Sequence, residues 1–134
     1  MTYIYENIEI DNFPATLEYL LLTYCILPSP NNLPQHLRCL DISHCHITNL
    51  DFLPCLLEVL ICDYNELTAL DNLPPGLKRL SCIGNSIVRL FNLPRGLIML
   101  DCSWNDDINI ENLPDSLEQF ICVACDLKRL TNLP

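Results

Sequence analysis

The chain has 134 residues, half of them apolar, with a formal net charge of −10 at pH 7 and a pI near 4.4. This length suits one ordinary domain with a continuous buried core. Because a broad phosphate-binding surface needs clustered Lys and Arg, the acidic balance argues against nucleic acid and anionic membranes as partners.

The first fourteen residues, MTYIYENIEIDNFP, lack both the positive and the apolar region of a secretory signal. No apolar run in the sequence is long enough to span a bilayer. We therefore expect a soluble, intracellular protein with a cytoplasmic location. The nine cysteines are odd in number and no export signal accompanies them, so reduced thiols are expected rather than a disulfide scaffold.

A twenty-residue repeat organises the rest of the sequence. Proline recurs at positions 14, 34, 54, 74, 94, 114 and 134, and leucine follows three residues later at 17, 37, 57, 77, 97 and 117. Self-similarity at a fixed period predicts a solenoid, in which each unit buries its apolar side against its neighbours.

Each block follows the pattern L-x-x-L-x-L/C-x-x-N/C-x-L, as at Leu77, Leu80, Cys82, Asn85 and Ile87. The step of two inside this pattern is strand periodicity, so each repeat should add one short strand to a parallel sheet. The segment after the strand is irregular and rich in proline, which favours an extended, polyproline-like return and not a helix.

These blocks resemble leucine-rich repeats of the short twenty-residue class, whose convex side carries Leu-Pro motifs instead of helices. The resemblance covers residues 13–134, as six repeats ending in a partial seventh, with residues 1–12 as an N-terminal half repeat. It implies a leucine-rich repeat solenoid with a parallel β-sheet on the concave face and an extended convex side without α-helices. Repeats of this class are best known from bacterial effectors, and similar ones occur in large DNA viruses of amoebae. A viral or bacterial origin, the host cytoplasm and a host protein target follow from this resemblance alone.

Two further columns of the repeat carry polar side chains. One column is expected to form a structural ladder, in which amides satisfy backbone groups of adjacent coils; its members are Asn65, Asn85 and Asn105. Cysteine occupies the same column at Cys25, Cys45 and Cys125, where a thiol is a weaker donor. The other column alternates in charge and predicts a ladder of ion pairs on neighbouring strands; its members are Glu18, Arg38, Glu58 and Lys78.

Candidate catalytic and metal motifs are weak. Cys45 falls in the inward-facing column while His44 and His46 fall on the surface turn, so a Cys-His catalytic pair is not expected. Cys122 and Cys125 form a C-x-x-C, but no second pair offers the spacing of a zinc site. The sequence therefore predicts no enzyme activity, no cofactor and no metal ligand.

The open face of the sheet is the predicted functional surface. Its side chains include the aromatic residues, Met and Arg that are enriched at protein interfaces, with Trp104 as the first choice for a contact residue. The predicted concave contact set is Tyr19, Leu21, Tyr24, Asp41, Ile61, Asp63, Tyr64, Arg79, Met99, Asp101, Trp104 and Ile121. We expect a non-catalytic protein-interaction module. The alternative is a self-assembling structural protein that forms homodimers through uncapped solenoid ends or the sheet face.

Overall fold

The computed structural model describes residues 13–25 and 33–132. The expected half repeat at 1–12 and residues 133–134 of the expected partial seventh repeat lie outside the described residues. The strands of the described part are β1 Tyr19–Leu21, β2 Cys39–Asp41, β3 Val59–Ile61, β4 Arg79–Ser81, β5 Arg89–Leu90, β6 Met99–Asp101, β7 Asn109–Glu111, β8 Gln119–Ile121 and β9 Arg129–Thr131.

Six of these strands form one parallel sheet in the order β1-β2-β3-β4-β6-β8. Every strand pairs with its neighbour at an offset of twenty residues, so that Leu20, Leu40 and Leu60 stand side by side. The middle residue of each strand from β1 to β6 in this sheet is buried and its two neighbours are not. A slip of one residue would expose this leucine row, and the repeat length therefore fixes the register. The predicted solenoid of parallel strands is confirmed.

A second parallel sheet joins the return segments of the last three coils. It contains β5, β7 and β9, and it aligns Leu90, Ile110 and Leu130. The proline-rich spacing of these segments predicted only extended chain here. The alternation of Ile108 and Ile110, both fully buried, is the strand periodicity that accounts for β7.

The core consists of leucine, isoleucine and cysteine columns stacked along the solenoid. Leu57, Leu77 and Leu97 have no exposed surface, and neither do Cys62 and Cys82, which fill the interior as small apolar groups. Burial declines at the C-terminal coil. There the equivalent positions are only partly buried; they are Leu117, Phe120, Cys122 and Cys125.

Helices are absent from the described ranges, where the chain passes from strand to turn to extended segment. The described residues accordingly include no helix long and apolar enough to cross a membrane.

Candidate functional site

The open face of the six-stranded sheet, called the sheet face below, carries the residues that flank the buried leucine row. Tyr19 and Leu21 are 65% and 68% exposed. Arg79 is exposed as well. The other predicted members that lie within strands are half-buried; they are Asp41, Ile61, Met99, Asp101 and Ile121. Strand alternation therefore places this part of the predicted contact set on one continuous surface.

A column of residues just beyond the strands forms the rim of the sheet face. All six have a left-handed backbone, with φ between 51° and 64°; they are Tyr24, His44, Tyr64, Gly84, Trp104 and Ala124. The first five each donate a backbone N–H to a carbonyl of the next coil at 2.6–3.0 Å. Because L-residues seldom adopt this conformation, its recurrence shows that the inter-coil hydrogen bond holds the turn against its intrinsic cost.

Three rings of the rim are stacked. The Tyr24 and His44 ring centroids lie 4.2 Å apart with an interplanar angle of 6°, and those of His44 and Tyr64 lie 4.6 Å apart at 11°. The Tyr64 ring lies over Gly84, where an added Cβ would stand 2.6 Å from Tyr64 Cδ1. The contact with the Tyr64 ring therefore favours glycine at position 84, which also adopts this φ without the steric cost of a Cβ. One coil further on, Trp104 is 61% exposed.

Three carboxylates follow the sheet face from coil to coil. Asp41 Oδ1 accepts hydrogen bonds from the backbone N–H and the hydroxyl of Ser43, at 3.0 and 2.6 Å. Asp101 makes the same pair of bonds with Ser103. Asp63 instead reaches the next coil, where its Oδ1 accepts from Ser81 Oγ at 2.7 Å and from the backbone N–H of residue 83 at 2.9 Å. Throughout the described ranges, the second oxygen of each carboxylate accepts no hydrogen bond.

Asp63 has a perturbed ionisation. Burial raises the pKa of this carboxyl above its ordinary value, and the negative charges of Asp41 and Asp101 raise it further, against the opposing effect of its two hydrogen bonds. A cation placed at the sheet face would relieve both causes, since it would replace lost hydration and offset the like charges.

The asparagine column lies behind the rim and is buried. Asn85 Oδ1 accepts from the backbone N–H of Leu67 at 3.0 Å, and its Nδ2 donates to the carbonyls of Cys62 and Cys82 at 3.0 and 3.1 Å. Asn65 and Asn105 repeat this arrangement in their own coils. Each amide thus satisfies buried backbone groups of two coils at once, which fixes the turns that display the rim.

The Cys-His motif in the second coil is dispersed. The Cys45 sulfur donates to the carbonyl of Leu22 at 2.6 Å, and burial raises the pKa of this thiol to about 11. His44 is stacked between the two tyrosine rings, and His46 Nδ1 contacts Glu66 Oε1 at 2.8 Å. Neither imidazole is bonded to the thiol, so the arrangement provides no activated nucleophile.

The alternating charge column is joined over three of its four members. Arg38 contacts Glu58 through Nη1 and Glu18 through Nε, the latter at 4.0 Å. Within the described ranges, no ion pair extends the column to Lys78. The Lys78 Nζ lies instead beside Gly96, where the missing side chain leaves room for it.

A shallow depression of about 440 Å³ lies on the second sheet and was not anticipated from the sequence. Arg89, Asn109 and Arg129 line it in one row because β5, β7 and β9 pair in register. Glu111 lies 3.6 Å from Arg129 and partly neutralises it.

The stack of three rings on the rim was also not predicted from the sequence. The spacing of twenty residues between Tyr24, His44 and Tyr64 is the signal that could have indicated it.

Solved structures similar to this chain include two leucine-rich repeat effectors of bacteria. YopM from Yersinia enterocolitica WA-314 superposes with a TM-score of 0.81 and 35% sequence identity, over 92% of this chain and 28% of that one. The leucine-rich repeat domain of a Shigella effector gives a TM-score of 0.75 and 32% identity, over 89% of this chain and 53% of that one. The chain therefore spans about half or less of the length of either structure. No protein-family model matches the sequence, and no curated protein matches it either.

Proposed function

We propose that this chain, a short-repeat leucine-rich repeat protein resembling bacterial effectors, binds a basic segment of another protein across the sheet face. The observation that carries the proposal is the row of carboxylates, Asp41, Asp63 and Asp101, beside an exposed aromatic rim. Binding of this kind gives the general role of an interaction module a location on the chain and a chemistry. The proposed role involves no catalysis.

The charge of the sheet face favours Lys and Arg in the partner. Asp41 and Asp63 lie in the two coils before Arg79 and Asp101 lies in the coil after it. Each of the three carboxylates has one oxygen without an internal hydrogen bond among the described residues. The chain as a whole carries −10 charges, which would speed the approach of a basic partner at low salt. An arriving guanidinium would also lower the raised pKa of Asp63, so binding and ionisation would reinforce each other.

The aromatic rim supplies the apolar part of the contact. Trp104 on the rim and Tyr19 on the adjoining sheet face are both more than 60% exposed, and both residue types are enriched among interface hot spots. The stacked tyrosines are held in place before binding, so little side-chain entropy is lost when a partner covers them. Cationic side chains are attracted to the faces of such rings as well.

The location of the partner rests on the similarity to effectors. Since the chain covers 28% of YopM and 53% of the Shigella domain, their partners are not transferred to it. A host protein in the host cytoplasm is nonetheless the setting that these two neighbours favour, and it forms part of the proposal.

The decisive experiment is selection of binders from a displayed library of random peptides, followed by affinity measurement with matched variants. Peptides rich in Lys or Arg with apolar neighbours are expected. The triple variant Asp41→Asn, Asp63→Asn, Asp101→Asn should weaken them at least tenfold, and Trp104→Ala should weaken them several-fold.

The control triple variant is Asp71→Asn, Asp106→Asn, Asp115→Asn, which removes three exposed carboxylates away from the sheet face. It changes the net charge equally, so any general electrostatic effect would appear in both triples. Equal weakening in the two triples, or selected peptides without a basic bias, would reject the sheet face as the binding surface.

Self-association is the second candidate, and one observation favours it. Val123, Leu127 and Leu130 expose 60%, 40% and 36% of their surfaces at the last coil. Light scattering across a wide concentration range, with and without reductant, tests it. A dimer that persists with reductant and is lost on Leu130→Lys would support this candidate, whereas a monomer at every concentration would exclude it.

A further inference from the structure

Three cysteine sulfurs meet in the last coil. The Sγ atoms of Cys102, Cys122 and Cys125 all lie within 4.8 Å of one another. Cys102 and Cys122 are adjacent because β6 and β8 pair at the twenty-residue offset. Cys125 joins them because Ala124, with φ of 51°, turns the chain back toward the core. This is the one group of three or more His, Cys, Asp or Glu ligand atoms at such spacing within the described ranges.

The repeat explains why the cluster occurs here. Cys62, Cys82, Cys102 and Cys122 occupy one inward column, and the neighbouring column holds asparagine in the third to fifth coils. In the first two coils the second column holds cysteine, but Leu22 and Ile42 occupy the first. Both columns carry cysteine together only at the last coil, so stacking contributes a third thiol that the C-x-x-C motif does not show.

The cluster is accessible and its existing bonds are weak. Cys102 is buried, whereas Cys122 and Cys125 are half-buried and face the less covered end of the core. Cys125 Sγ donates to the carbonyl of Cys102 at 3.2 Å, and Cys102 Sγ donates to that of Ile121 at 3.6 Å. Thiols are weak donors, so replacing these hydrogen bonds with metal–sulfur bonds would cost little hydrogen-bond energy.

We propose that Cys102, Cys122 and Cys125 form a three-thiolate site that binds a soft metal ion, Cu(I). Thiolate sulfur selects soft cations such as Cu(I) and Zn²⁺ over hard ones. With metal–sulfur bonds of about 2.3 Å, three thiolates around one ion lie about 4 Å apart, so the sulfurs need to move by only about 1 Å.

The number of ligands distinguishes the two soft ions. In structural sites Zn²⁺ is almost always held by four protein ligands, and in the described part of the chain no histidine or carboxylate supplies a fourth ligand atom at this spacing. A three-sulfur set without a fourth protein ligand favours Cu(I). Binding is not a redox step: three S–H bonds release their protons to solvent and three S–Cu bonds form, with copper remaining Cu(I).

Proton release makes the site pH-dependent. Burial, reinforced by a hydrogen bond and the proximity of Cys125, raises the pKa of Cys122 to about 12, and burial raises the pKa of Cys102 as well. Cys102 and Cys122 are therefore protonated in the metal-free protein, and the ion must displace both of these protons. The affinity for the ion should therefore rise with pH.

The test is anaerobic titration with Cu(I) against a chromophoric Cu(I) chelator, in parallel with a Zn²⁺ titration. The informative variant is Cys125→Asn, because it installs the side chain that three other coils carry and so preserves the fold. Its matched control is Cys45→Asn, the same replacement in the same column at a coil without the cluster. One Cu(I) per chain is expected, with about three protons released, at least a hundredfold weaker binding in Cys125→Asn and unchanged binding in Cys45→Asn.

Three outcomes would overturn the proposal. The first is no Cu(I) retained against the chelator, and the second is equal weakening in the two asparagine variants, which would indicate binding spread over the other thiols. The third is binding of Zn²⁺ but not of Cu(I), which would replace the three-coordinate assignment with a four-coordinate one. A thermal unfolding curve for each variant verifies that lost binding is not lost folding.

Discussion

The coils between residues 57 and 105 and the coil from residue 117 to 132 follow the same repeat but differ in packing. In the former, Leu57, Leu77 and Leu97 have no exposed surface, and an asparagine column bridges neighbouring turns; its members are Asn65, Asn85 and Asn105. In the latter, Leu130 is 36% exposed and Cys125 replaces the asparagine. A repeat unit is thus only half of a core, because its burial depends on a neighbour on each side.

The largest difference should appear on truncating one leucine column at two coils. Leu90, in β5, is 1% exposed, and Leu130, in β9, occupies the equivalent position two coils later. Leu90→Ala should cost about 2–5 kcal/mol of unfolding free energy, the usual range for a buried leucine. Leu130→Ala should cost less than about half of that, since much of its side chain is already solvated. Urea denaturation measures both, and equal losses would contradict the gradient of packing.

The asparagine column should give the next largest effect. Asn85→Ala leaves the Leu67 N–H without its acceptor, and a buried group left unsatisfied costs about 1–3 kcal/mol. It also removes one of the two amide donors to each of the Cys62 and Cys82 carbonyls, which keep the amides of Asn65 and Asn105. The net loss should be about 2–4 kcal/mol, because water reaches part of the opened site. Ser86→Ala, at an exposed neighbour, is the control and should change stability by less than about 0.5 kcal/mol. A small loss at Asn85 would show that the turns hold without the ladder.

The same column predicts a gain at the last coil. Cys125→Asn would replace a weak thiol donor with an amide donor to the Cys102 carbonyl, which now accepts from Asn105 Nδ2 at 2.9 Å and from the Cys125 thiol at 3.2 Å. A net gain of about 0.5–1.5 kcal/mol is expected for the metal-free protein, as for a typical added hydrogen bond. Thermal unfolding in the presence of a metal chelator measures it, and a lower melting temperature would show that the last coil differs in geometry as well as in sequence.

The charged column should contribute less. Arg38→Glu removes the contacts to Glu18 and Glu58 and places three carboxylates in a row. The unfolding free energy should therefore fall by about 1 kcal/mol or less. The loss should be larger in low salt than in high salt because screening weakens exposed pairs. Arg95→Glu, which makes the same charge change at an exposed position without an ion pair in the described part, is the control. Identical salt dependence in both would attribute the effect to net charge alone.

The smallest effect concerns the pH dependence of Asp63. The pKa of Asp63 is higher in the folded state than in the unfolded state. Its favourable contribution to folding stability is therefore fully present below the unfolded pKa and is lost as pH rises through the folded pKa. Asp63→Asn should therefore stabilise the free protein at pH 7 by about 0.5 kcal/mol, and the gain should vanish at acidic pH where Asp63 is protonated. Asp71→Asn is the exposed control. Denaturation at pH 7 and near pH 3 measures the difference, and a gain independent of pH would exclude ionisation as its cause.

The repeat length made much of the fold predictable. Since proline and leucine recur every twenty residues, the strand positions and the parallel register followed from the spacing, and both are confirmed by the pairing of Leu40, Leu60 and Leu80. The second sheet was not predicted, because two or three alternating residues give a weak strand signal until neighbouring coils align them. The site was predictable as a set of columns, and its use as a contact surface stays a prediction.

What the sequence by itself determined is therefore periodic: which residues share a column, which columns face inward, and how far each strand is offset. The tertiary structure decided how neighbouring columns meet. It stacked Tyr24, His44 and Tyr64, set Tyr64 over Gly84, and brought Cys102 to a C-x-x-C from which it is twenty residues distant. The physical reason is that periodicity fixes positions along the solenoid, whereas side-chain contacts depend on the turn geometry and on the unequal burial of each coil.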